Sequence, residues 1–232
     1  MLDKNYEKRI NKLRKRILEM AKLAEEQVKS IFFAIENNNK EISDKVILND
    51  EIINDYDIKI DKTCQKIFAL NQPVASDLRF ILSTFLINNR VEFIGDLVVD
   101  IAKTFRNIHY TKPIFFSKLA FNDIFRLTLK MTEDAFKSIS DNNSSLAQIV
   151  LKDELLLNEL NMKNIELIKS ILKDNPEFVD EAFAMFQISN FCEQIGDYAA
   201  SIAEDVFFMV ESQMIRHNYE KIIFGENSDD DD

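Results

Sequence analysis

Tryptophan is absent, and the residues that punctuate or cross-link a chain are scarce: 3 Gly, 3 Pro, 2 Cys and 2 His in 232 residues. Sandwiches and barrels draw heavily on Gly and Pro for their turns, so their shortage argues against sheet architectures. The two cysteines, Cys64 and Cys192, sit inside apolar helical patterns and read as small buried hydrophobes, not as metal or redox groups. No apolar run approaches the ~18 residues of a membrane span. The stretch from Asp3 to Arg16 is too charged for a secretory signal, so a soluble cytoplasmic protein is expected. Basic charge is also short, with 29 Lys and Arg against 40 Asp and Glu and a net charge of −11. That balance lacks the basic footprint of a nucleic-acid binder. It suits cation binding or a basic partner surface.

What the chain does have is 3–4 apolar spacing nearly throughout. From Tyr6 to Ile35 the apolar positions include Ile10, Leu13, Ile17, Met20, Ala24, Ile31 and Ile35, one face of a long amphipathic helix. Asn37, Asn38 and Asn39 break it. A second helix from near Glu41 buries Ile42, Val46, Ile53, Ile60, Ile67 and Leu70 and carries Asp50, Asn54, Asp57 and Asp61 along another face. Pro73 marks the start of a third, where a missing N–H is harmless. This helix is apolar around most of its circumference, with a polar streak of Asn88, Asn89, Glu92, Asp96, Asp100 and Lys103.

After a connector from about His109 to Ser117, the pattern returns. Helices are expected over about Lys118–Ser140 and Ser145–Lys173, and from Pro176 to about His217. Pro73 and Pro176, Asp50 and Asp153, and Phe33 and Phe136 each lie 103 residues apart. The chain is therefore all-α, a tandem duplication of a three-helix unit over 1–110 and 111–217, followed by an acidic tail at 218–232 that reads as disordered.

The repeat centres on Glu92-Phe93-Ile94-Gly95-Asp96, which recurs 101 residues on as Glu193-Gln194-Ile195-Gly196-Asp197. Roughly seven i,i+4 carboxylate pairs are expected by chance in so acidic a chain, so the acids alone say little. Two of the three glycines at matched positions say more. Gly inside a helix costs about 1 kcal/mol relative to Ala, so its placement suggests close approach of another backbone. Glu92 with Asp96, and Glu193 with Asp197, project from one helical face. Asp50, Asn54 and Asp57 can do so from a neighbouring helix. Such all-oxygen sets favour hard cations such as Mg²⁺, Mn²⁺, Ca²⁺ or ferric iron. The competing reading is solvated acids tied up with Lys or Arg.

The run Asn71-Gln72-Pro73-Val74-Ala75-Ser76-Asp77-Leu78-Arg79, with the two E-x-I-G-D motifs, resembles the PhoU family of phosphate-uptake regulators. Asp50-Glu51-Ile52-Ile53-Asn54 and Ile202-Ala203-Glu204 are similar to further family motifs. The resemblance spans about Leu13 to Val210. It implies two antiparallel three-helix bundles carrying carboxylate metal sites: Asp50, Asn54, Asp57, Glu92 and Asp96 in one repeat, Asp153, Glu193 and Asp197 in the other. The implied ion is multivalent (iron, manganese, magnesium or zinc). The implied role is a homodimeric, non-catalytic adaptor that negatively regulates phosphate uptake and starvation signalling. Its implied partners are the ATPase subunit of the phosphate ABC transporter and a membrane sensor histidine kinase, with Asp77 and Arg79 on the contact surface.

Two departures stand out. Where the family motif has Arg after Glu, this chain has Phe93 and Gln194. At the 103-residue register Leu157 stands in the place of Asn54, so the second metal set is expected to be poorer.

The alternative is a metal-dependent phosphate-ester hydrolase or an iron-storage protein using the same carboxylates. A di-iron site of the Glu-x-x-His type is missing, because Arg106 and Met214 precede His109 and His217 by three residues. There is also no P-loop, no G-x-S-x-G, and no nucleophile or basic phosphate-binding cluster visible along the chain. His109 and His217 are read as helix-end dipole partners.

Overall fold

In the computed structural model, which describes residues 4–108, 113 and 115–215, six long helices account for most of the described residues and no strand occurs among them. They are α1 (Lys4–Glu36), α2 (Lys40–Asn71), α3 (Ala75–Asn107), α4 (Phe121–Asp141), α5 (Ser144–Asp174) and α6 (Val179–Glu211). The all-α fold follows from the periodicity. Along α1, for example, Leu13, Ile17, Met20, Ala24, Val28, Ile31 and Ile35 are all buried.

Each α1–α2-type corner is built from asparagines instead of glycine. Asn38 and Asn142 take left-handed backbone conformations at φ 50 and φ 48, which Asn tolerates better than most residues because its short side chain bonds locally. The following Asn39 and Asn143 then cap α2 and α5, accepting hydrogen bonds from Ile42 N at 3.2 Å and Leu146 N at 3.0 Å. Such a cap is worth about 1 kcal/mol.

The three helices of each repeat pack on one another, and the repeats join through α3 against α6 and α1 against α4. The buried residues form one continuous core. Phe32 and Phe125 stack across the α1–α4 contact with ring centroids 4.3 Å apart. Across the α3–α6 seam Arg90 and Asp205 form an ion pair, with Asp205 only 2% exposed. The greasy circumference of α3 is thus explained by neighbours on three sides: α2, α1 and α6.

The register of the duplication differs from the 103 residues expected. Phe136 is buried at 5% exposure, but Phe33 is 54% exposed, and Phe32 at 4% is the true counterpart. Buried positions of α2 and α5 pair at 104 residues: Ser43 with Ala147, Val46 with Val150, Ile53 with Leu157, Cys64 with Ile168. Those of α3 and α6 pair at 101: Ile87 with Ile188, Val91 with Cys192, Gly95 with Gly196. The three-residue difference is taken up between the second and third helices of each unit, where the two prolines lie.

Pro73 itself precedes α3, which starts at Ala75, and Pro176 opens a 3₁₀ turn, Pro176–Phe178, that leads into α6. α6 stops at Glu211, short of His217, because Ser212 turns left-handed at φ 63. His109, His217 and the acidic tail lie outside the described residues. Among the described residues no helix is long and apolar enough to cross a membrane.

Candidate functional site

Gly95 sets the geometry of the first acidic patch. A Cβ there would lie 3.3 Å from Ile53 Cδ1 and 3.4 Å from Asp50 Oδ1. Its absence lets α2 settle against α3 and brings Asp50 beside the Glu92–Asp96 turn. Glu92 is half-buried, and its pKa is pushed up to about 7, first by burial and then by Asp96, Asp57 and Asp50. Three other carboxyls, from two helices, are therefore within electrostatic reach of Glu92. Asp50 is raised by burial and by Asp96, against a lowering influence from the bond to Asn54 and from Lys103. Asn54 Nδ2 donates to Asp50 Oδ2 at 3.1 Å, while Asp50 Oδ1 is buried without a hydrogen-bond partner.

Asn88, one of several polar residues along the streak of α3, organises the other end of the patch. Fully buried on α3, it donates through Nδ2 to Asp57 Oδ1 at 2.6 Å and to Asp61 Oδ1 at 3.2 Å. Asp57 is raised by burial and then by Asp61, with Asn88 opposing the rise. A buried amide on the α2-facing side of a polar streak was the available signal.

The second patch is assembled from different residues than the 103 register implied. Asp153 turns to α4 and meets Lys130 Nζ at 2.5 Å, so it is not brought together with Glu193 and Asp197. At the 104 register Glu154, Asn158 and Asn161 take the places of Asp50, Asn54 and Asp57. Leu157 is then the counterpart of Ile53, in contact with the glycine, and does not replace a ligand. A Cβ at Gly196 would collide with Leu157 Cδ2. Ser189, the counterpart of Asn88, donates to Asn161 Oδ1 at 2.6 Å and accepts from Asn164 Nδ2 at 3.0 Å. Burial and Asp197 raise Glu193, and burial raises Asp197.

Half-buried oxygen donors that repel one another, with an orphaned acceptor at Asp50, have the chemistry a hard cation satisfies. As placed, no group of three or more His, Cys, Asp or Glu side chains among the described residues forms a ready-made metal cage. Phe93, in the place of the family Arg, stacks on Tyr198 across the seam at 5.2 Å. Asp77 accepts a 2.7 Å hydrogen bond from Tyr6, which ties the start of α3 to α1, and burial followed by this bond lifts the Tyr6 hydroxyl to about 12. Arg79 is half-buried beside it, with Nε lacking a partner. Cys64 and Cys192 are free and buried, and burial raises both thiols.

The chain is similar to known proteins over most of its length. A protein of Borreliella burgdorferi named phosphate-specific transport system accessory protein PhoU homolog is 29% identical over 181 residues, 76% of this chain and 81% of that protein. The phosphate-specific transport system accessory protein PhoU of Serratia marcescens is 27% identical over 211 residues, 90% of this chain and 85% of that one. The crystal structure of PhoU from Pseudomonas aeruginosa superposes with a TM-score of 0.86 at 24% identity, covering 90% of this chain and 100% of that chain. The model of the PhoU domain matches twice, at residues 17–105 and 121–206, once on each three-helix unit, and the chain belongs to the PhoU family.

Proposed function

We propose that this chain is a non-catalytic accessory protein of a phosphate-specific transport system that restrains phosphate uptake and represses starvation signalling. The observation that carries this reading is the double family match, one per repeat, with relatives named for that accessory role. It acts as an adaptor, contacting the transporter ATPase subunit and a sensor histidine kinase as a homodimer. Asp77 and Arg79, at the α2–α3 corner, belong to the contact surface.

Each repeat binds a multivalent cation through its acidic patch. The buried, unpartnered Oδ1 of Asp50 and the mutual repulsion around Glu92 support this, because a hard ion relieves both. Asp50, Asn54, Asp57, Glu92 and Asp96 hold one ion, and Glu154, Asn158, Glu193 and Asp197 the other. Co-purification of the full chain with the ATPase subunit and with the kinase, at high and low phosphate, tests the adaptor reading. Association with neither overturns it.

A further inference from the structure

The face of α2 turned away from Asp50, Asp57 and Asp61 forms a basic groove with α1. Arg9, Lys12 and Arg16 line one wall and Lys59, Lys62 and Lys66 the other, around a cavity of about 300 Å³. Both rows follow the same i, i+3, i+7 spacing, so each runs for roughly 10 Å along its helix. In a chain of net charge −11, this is a concentrated exception.

Among the described residues, only Lys59 of the six has a carboxylate partner, Asp55 at 3.1 Å. Arg16 is oriented from behind: Nη1 donates to Lys59 O at 2.9 Å and to Thr63 Oγ1 at 2.7 Å. Arg9 Nη1 is likewise held, by Asn71 Oδ1 at 2.8 Å.

The basic rows are not repeated: at the 104 register Lys59, Lys62 and Lys66 correspond to Lys163, Glu166 and Ser170, and Arg9, Lys12 and Arg16 to Pro113, Phe116 and Ala120, which precede α4.

We propose that this groove is an anion site for a short linear oligophosphate. Six cations in two facing rows exceed what one phosphate ion neutralises, and match a chain of phosphates laid along the groove. A concave site on a strongly acidic protein fits a bilayer poorly, since the net charge repels an anionic surface beyond the groove. No aromatic side chain lines it, so it lacks the stacking platform of a single-strand binder.

Titration calorimetry with tripolyphosphate on the full chain, stripped with EDTA so that the acidic patches carry no bridging metal, tests the proposal. One-to-one saturable binding is expected, weakening as salt is raised. Lys12→Gln/Lys62→Gln/Lys66→Gln should bind at least about tenfold more weakly, and Lys152→Gln/Lys163→Gln/Lys173→Gln as the wild type does. Orthophosphate should bind at least about tenfold more weakly than tripolyphosphate. Melting curves check that the variants fold, and Lys62→Gln alone provides the same reading if the triple variant does not. Absence of saturable binding by the wild type, equal weakening in both triple variants, or retention on phosphatidylglycerol vesicles without tripolyphosphate binding overturns it.

Discussion

Asn88 on α3 donates through Nδ2 to Oδ1 of Asp57 on α2 at 2.6 Å, and the second repeat rebuilds this contact from other atoms, with Ser189 donating to Asn161 at 2.6 Å. One bond serves a half-buried carboxylate and the other a neutral amide. Charged acceptors lose more when a donor is removed. Asn88→Ala should therefore cost about 1–3 kcal/mol, and Ser189→Ala nearer 1 kcal/mol. Urea unfolding measures both, and equal costs would count against the charge argument.

Stability should depend on pH through Glu92. Its folded pKa of about 7 lies above the ordinary 4.5, so between those values the folded state holds more protons than the unfolded state. Stability from this group is complete below the lower value and falls as pH rises through the higher one. Glu92→Gln stays uncharged throughout. In protein stripped of metal with EDTA, it should gain stability relative to wild type progressively from pH 5 to pH 7.5, read from urea midpoints at each pH. A constant difference would refute the assignment.

The two helical glycines should respond unequally to alanine. At Gly95 a new Cβ asks Ile53 Cδ1, 3.3 Å away, to move by a few tenths of an ångström, and the better helix propensity of Ala offsets that. At Gly196 it collides with Leu157, whose side chain is fully buried. Gly95→Ala should be close to neutral, whereas Gly196→Ala should destabilise by about 1–3 kcal/mol. Adding Leu157→Ala should make the Gly196→Ala step less costly, which a double-mutant cycle in urea resolves.

Metal content should be shared between the repeats. Glu92→Gln/Asp96→Asn and Glu193→Gln/Asp197→Asn should each lose a substantial fraction of bound Mn²⁺, measured by elemental analysis after equilibrium dialysis. Glu154→Gln should lower the second share. Asp153→Asn, bonded to Lys130 on the other flank, should change nothing. Loss with Asp153→Asn but not with Glu154→Gln would restore the 103 register.

The sequence by itself determined the all-α class, the duplication and the glycine-bearing carboxylate turns. Helical period, helix breakers and a doubled motif are local properties of the chain, readable without knowing what packs where. It also located the α1–α2 and α4–α5 corners, because each is made of its own asparagines. Tertiary structure decided the register. Asp153 and Glu154 are neighbours on one helix, and either could face α6 until Leu157 is seen against Gly196. It decided as well that Asn88, one of several polar residues on α3, is buried against Asp57. The basic groove belongs to the same class. Arg9, Lys12 and Arg16 are about 50 residues from Lys59, Lys62 and Lys66, and each set alone reads as a solvated helix face. Only the antiparallel packing of α1 on α2 turns two ordinary faces into one concentrated positive surface, since electrostatic reach depends on distance in space and not along the chain.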